Sequence, residues 1–153
     1  MTIKLTDRVV VEAPPERVWH WLEHMPDHFL RWHPDHLSCR WCRGEGFSPG
    51  AELEVVERLH GKAHRLRMRA LSVEPGRRIV YRVFPGLDGS FELAPEGQGT
   101  ALTATLRMGV NWPVIGPLID LLLSRAIGGR IEAIRRHQRE EGQNLKALIE
   151  ADG

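Results

Sequence analysis

His137 and Glu141 stand four residues apart in a stretch, residues 127–151, whose apolar side chains recur with helical period. Side chains at that spacing share one face of a helix, and zinc-binding helices use the same spacing for paired ligands. On a helical wheel Ile127, Ile131, Ile134, Leu145, Leu148 and Ile149 fill one arc of roughly 100°, the width of a core-facing stripe. Glu141 lies inside that arc and His137 at its edge, with Arg135, Arg136, Arg139 and Glu140 opposite. An unpaired charge in an apolar stripe is costly, so Glu141 must be protonated, paired or bound to a metal.

Three further positions extend the pattern. Residues 52–59 alternate with a period of two, which puts Leu53, Val55, Glu57 and Leu59 on one face and Glu52, Glu54, Val56 and Arg58 on the other. The apolar face is the inner one, so Glu57 points inward and Glu54 outward. His64, Leu66, Met68 and Ala70 form the inner side of the following strand, which makes His64 another inward polar group. His36 ends the segment Arg31-Trp32-His33-Pro34-Asp35-His36, too polar and too proline-restricted for a regular element and therefore assigned to a connection. His36, Glu57, His137 and Glu141 stand out together. Singly, each has an ordinary explanation: a solvated loop histidine, a carboxylate paired to an arginine, a polar contact at a helix edge. As a set, two imidazoles and one or two carboxylates suit Zn²⁺, with non-haem Fe²⁺ as the main rival.

The elements that must position these groups follow from periodicity and punctuation. Residues 3–12 read as a strand stopped by Ala13-Pro14-Pro15, and Pro15 then suits the first turn of a helix reaching Glu23, with Val18, Trp19 and Leu22 inside. Pro26 begins a second short helix, to Leu30. Strands are expected at residues 37–43, 52–59, 64–70, 78–84, 90–94 and 100–110, separated by Gly and Pro turns that include Gly86-Leu87-Asp88-Gly89. A short apolar helix over residues 112–123 precedes the final one. Consecutive strands on short turns make an antiparallel meander, and a long helix lying across its concave face would enclose a cavity. The expected fold is α+β helix-grip: one domain over residues 1–153, with about seven strands curved around the C-terminal helix and two short helices after the first strand.

The order of elements, and the opening Val9-Val10-Val11-Glu12-Ala13-Pro14-Pro15-Glu16-Arg17-Val18-Trp19, resembles the START-like (SRPBCC) superfamily of pollen-allergen-like proteins, aromatic polyketide cyclases and lipid carriers. That resemblance implies a cavity and no single reaction. Within the superfamily, Trp32-His33-Pro34-Asp35-His36, Val56-Glu57-Arg58-Leu59-His60-Gly61 and His137-Gln138-Arg139-Glu140-Glu141 are similar to the metal-bearing segments of the diacetylphloroglucinol hydrolase family. The resemblance implies zinc held by His36, Glu57, His137 and Glu141, and hydrolysis of a carbon–carbon bond between an acyl group and a phenolic ring. Such an ion polarises a carbonyl or acidifies a water, and a nearby base manages the proton. His64 and His33 are the candidates for that base, although His33 could equally buttress its loop and His64 bond a backbone carbonyl. Asp35 could orient a ligand imidazole. Trp32, Trp41, Met68, Phe84 and Phe91 could line an apolar pocket or simply pack the core. The chain departs from that family in its shorter length and in its single tyrosine, Tyr81.

The reading from the residues is thus a metal-dependent hydrolase of a small acylated aromatic or cyclic ketone. The alternatives are a metal-free carrier of a hydrophobic or aromatic ligand, or a polyketide cyclase. Composition limits the partners. Twenty-one Lys and Arg against 20 Asp and Glu leave a formal charge of +1, so no global field selects nucleic acid. The strip Arg58, Arg65, Arg67 and Arg69 lacks the interleaved aromatics of a single-strand binder and reads as a solvated sheet face. The N-terminus shows no basic and apolar regions of a signal peptide, and residues 112–123 are too short and broken to span a bilayer. Cys39 and Cys42, the only cysteines, point to opposite faces if they lie on a strand and read as structural thiols, consistent with a cytoplasmic location. The apolar run at 112–123 could be a homodimer contact, a cavity lid or a membrane-surface patch.

Overall fold

The computed structural model describes residues 3–59, 61–109, 117, 118, 121, 122, 125 and 130–152. Strand β1 (Ile3–Val11) leads into helices α1 (Pro15–Glu23) and α2 (Met25–Trp32). Strands β2 (His36–Arg43), β3 (Glu52–Leu59), β4 (Lys62–Glu74), β5 (Arg78–Phe84), β6 (Leu87–Glu96) and β7 (Gly99–Met108) follow, then helix α3 (Ile131–Ala151). All strands pair antiparallel in one sheet of order β1-β7-β6-β5-β4-β3-β2, so the meander from β2 to β7 brings the first strand back beside the last. The expected helix-grip architecture is the one observed.

Local chemistry accounts for these elements. Pro15 occupies the first turn of α1, where its missing N–H leaves no intrahelical bond unmade. The turn Glu74-Pro75-Gly76-Arg77 needs a left-handed residue and has Gly76 at φ 77°. Register shifts within β2–β3, β4–β5 and β5–β6 mark bulges, which increase local twist and help the sheet to curl. Its concave side and the three helices bury Val11, Val18, Leu22, Leu53, Ile79, Leu145 and Ile149 in one core.

Side-chain bonds that periodicity does not reveal fasten α3 in place. The Gln138 amide, buried, donates to the carbonyls of Leu5 (3.4 Å) and Ala104 (3.0 Å), tying the helix to β1 and β7. Trp32 Nε1–H donates to the Glu141 carbonyl at 2.8 Å and Asn144 donates to the Trp32 carbonyl at 3.0 Å, tying it to α2. Lys146 donates to the Val10 carbonyl and Glu150 accepts from the Glu12 N–H, so the helix end is held against the end of β1.

Several boundaries differ from expectation. Helix α2 continues through Arg31 and Trp32, and His36 begins β2 rather than standing in a loop. Residues 87–89 belong to β6, because the β5–β6 reversal is made tightly at Pro85 and Gly86. Glu54 faces the convex side as expected yet is only 5% exposed, covered by Arg40 (3.1 Å) and Arg65 (2.9 Å), with Arg67 at 3.7 Å. The basic strip is therefore partly neutralised by carboxylates of β3. Cys39 is half-buried, with its thiol pushed up to about 12 by burial, and Cys42 is exposed; both are free. Residues 127–129 of the expected final helix lie outside the described residues. So does most of the expected helix at 112–123, of which Pro117, Leu118, Leu121 and Leu122 are helical. Among the described residues no helix is long and apolar enough to cross a membrane.

Candidate metal centre and cavity

His36 is the first residue of β2 and stands opposite Glu57 in the β2–β3 ladder. Its ring stacks on Phe29 with centroids 3.8 Å apart and planes 6° apart, and meets Trp32 edge-on at 5.3 Å. Nδ1–H donates to the Phe29 carbonyl at 2.9 Å. That bond fixes the tautomer: the neutral ring keeps its proton on Nδ1 and turns the Nε2 lone pair toward the carboxylates.

Nε2 of His36 lies 2.9 Å from Glu141 Oε1 and 3.9 Å from Glu57 Oε1. Nε2 of His137 reaches the same Glu141 oxygen at 3.0 Å. One ligand atom from each of His36, Glu57, His137 and Glu141 lies within 4.8 Å of all the others. Donors around a tetrahedral ion with bonds of about 2.0–2.1 Å stand about 3.3 Å apart, so the observed separations suit a coordination shell. The chemistry of the donors fits as well. A lone pair on His36 Nε2 facing a carboxylate oxygen is acceptor against acceptor unless a proton or a cation lies between them.

The two carboxylates of the cluster are shifted in opposite directions. Burial raises the Glu57 carboxyl to about 6, and the Glu141 charge adds to the rise. Burial alone would also raise Glu141, but its close contacts with His137 and His36 hold it well below the usual carboxylate range. His137, disfavoured as a cation by burial, is nonetheless raised overall by its bond to Glu141.

A second group, His33, Asp35 and His137, braces the first. His33 is 5% exposed and both its nitrogens are engaged: Nδ1 accepts from the Asp35 N–H at 3.0 Å and Nε2–H donates to Glu140 Oε2 at 2.8 Å. It has no free lone pair to offer as a base. Asp35 Oδ2 stands 3.9 Å from His137 Nδ1, on the side of the ring away from Glu141. His64, the other base candidate, is exposed and does not line the cavity, although it faces Glu57 in the β3–β4 ladder.

Between the sheet and α3 lies a cavity of about 480 Å³, within the range of small-molecule sites. Leu66, Met68, Phe91, Leu106 and Met108 form much of its wall, and Glu57, His137 and Glu141 open onto it, with His36 behind them. Of the aromatic residues expected to line a pocket, Phe91 does; Trp32 and Trp41 pack with the core and Phe84 is 45% exposed. Tyr81 also lines the cavity, and the alternation of Ile79, Tyr81 and Val83 along β5 is the signal that could have placed it.

A curved antiparallel sheet closed by a long helix over a cavity of this size defines a helix-grip protein of the START-like class. The model of the family described as polyketide cyclase / dehydrase and lipid transport matches residues 2–150, and the chain belongs to that family. Similar solved structures include TTHA0849 from Thermus thermophilus, with 18% identity, TM-score 0.73 and 99% of each chain covered. The ZhuI aromatase/cyclase from a Streptomyces species is 15% identical at TM-score 0.72, covering 98% of this chain and 94% of its own. CV1439 from Chromobacterium violaceum is 25% identical at TM-score 0.61, covering 97% of each chain. No curated protein matches the chain in sequence.

Proposed function

We propose that this protein is a metal-dependent hydrolase that binds a small acylated aromatic or cyclic ketone in the cavity. The observation carrying this reading is Glu141 Oε1 with two imidazole Nε2 atoms at 2.9 and 3.0 Å, one of them held in its tautomer by the Phe29 carbonyl. A divalent ion, zinc by the ligand types with iron as the alternative, would supply Lewis acidity toward a ligand carbonyl. His36, Glu57, His137 and Glu141 would hold it. The protein's own contribution is placement. Phe29 and Trp32 fix the His36 ring, the apolar wall holds an aromatic ring and keeps bulk water out, and three of the four ligating side chains face the bound molecule.

The family description and the fold shared with a protein named an aromatase/cyclase favour a second reading, a metal-free cyclase or dehydrase. There Glu57, with its raised carboxyl, and His137 would serve as acid and base. Turnover separates the two. Zinc-loaded protein should cleave the acyl group from an ortho-hydroxylated acetophenone, lose that activity on chelation and regain it with added zinc. Turnover indifferent to chelator would favour the second reading, and acyl-phenol binding without turnover would favour a carrier.

A further inference from the structure

Tyr81 is the one tyrosine of the chain and the one cavity-lining hydroxyl carried on an aromatic ring. It projects from β5 between Ala70 on β4 and Gly89 on β6, its cross-strand partners. Both neighbours are small, and at Gly89 the reason is steric. A Cβ on Gly89 would overlap the Tyr81 ring and its hydroxyl, so the ring lies down over the glycine instead of standing up from the sheet. Phe91 flanks it at 5.7 Å with planes tilted by 31°. The ring is thereby held between Gly89 and Phe91.

Its hydroxyl has no hydrogen-bond partner among the described residues, and the ring stands in the wall of a cavity that also carries Glu57 and Glu141. The hydroxyl is not sealed from the cavity, so an acceptor held there can meet it. Phenylalanine would fill the same space, so packing does not require the oxygen. Burial, with Glu141 and Glu57 nearby, disfavours the phenolate, which leaves a donor rather than a base.

We infer that the Tyr81 hydroxyl, set in place by Gly89, donates a hydrogen bond to an oxygen of the bound ligand. The ligand class is then an oxygenated aromatic or cyclic molecule, such as an acyl phenol, rather than a plain hydrocarbon chain. This inference rests on the cavity being the ligand site and does not depend on the metal. The test compares two probes of similar shape, 2-acetyl-1-naphthol and 2-ethylnaphthalene, titrated into wild-type protein and Tyr81→Phe with thermal melting as a check on folding. Tyr81→Phe should weaken binding of the oxygenated probe by roughly tenfold and leave the hydrocarbon within roughly twofold. Gly89→Ala, which displaces the same ring, should show the same selectivity. Equal weakening of both probes by Tyr81→Phe, or of neither, overturns the donor role while the cavity reading stands. If the wild type binds neither probe, the cavity reading fails and the donor role with it.

Discussion

Glu54 and Glu57 sit three residues apart on β3 and serve opposite faces of the sheet. Glu54 is covered by arginines on the convex side, while Glu57 opens into the cavity beside Glu141 and His36. Glu57→Gln should therefore weaken zinc binding by at least roughly tenfold, whereas Glu54→Gln should lower Tm and leave zinc binding unchanged. Competition against a chromophoric chelator reads the first effect and thermal melting the second. Metal-stripped protein should behave in the opposite sense at Glu57. Its carboxyl rises from 4.5 to about 6 on folding, so the stability associated with its protonated form is present at low pH and lost as pH climbs through 6. Glu57→Gln should thus stabilise the metal-free chain at neutral pH, on the order of 1 kcal/mol, and the gain should vanish below about pH 4.5. Glu141 has the reverse sign: held low, it contributes stability above the ordinary carboxylate range that is lost on acidification. The sequence makes Glu141 and Glu57 visible because each interrupts an apolar face. The engagement of His33 is settled by Glu140, a partner distant in the chain, which periodicity does not encode.

At the scale of elements, α3 is placed by polar contacts as much as by its apolar stripe. Leu145 and Ile149 are 1% exposed, but Gln138, one residue past His137, is buried as well and is bonded to β1 and β7. Gln138→Ala should destabilise the fold by about 1–3 kcal/mol in urea denaturation, because it strips bonds from buried groups. It should also weaken metal binding, since it loosens the helix that carries His137 and Glu141. Asn144→Ala removes the bond to the Trp32 carbonyl and should have a smaller effect of about 1 kcal/mol. Strand and helix positions were largely legible from alternation, helical period and Pro or Gly punctuation. The start of β2 was not. Pro34 and the polar residues around it suggest a loop, yet His36 pairs with Glu57 because its ring gains Phe29 and Trp32 on one side and a carboxylate on the other.

The whole molecule brings three distant stretches together: the α2–β2 corner, β3, and the middle of α3. His36 and Glu141 are 105 residues apart in the chain and 2.9 Å apart in space. The long antiparallel meander and the helix laid across it make that meeting possible, and the same closure forms the cavity. A metal tying these stretches together would bind the folded chain far better than the unfolded one, so chelation should lower Tm. The most direct measurement is elemental analysis of untagged protein after extensive dialysis, beside His137→Ala and Glu141→Ala. About one equivalent of zinc, or of iron, in the wild type and its loss in both variants is the expected result. Metal-free wild-type protein whose Tm is unmoved by either chelator or added zinc would contradict the proposed centre.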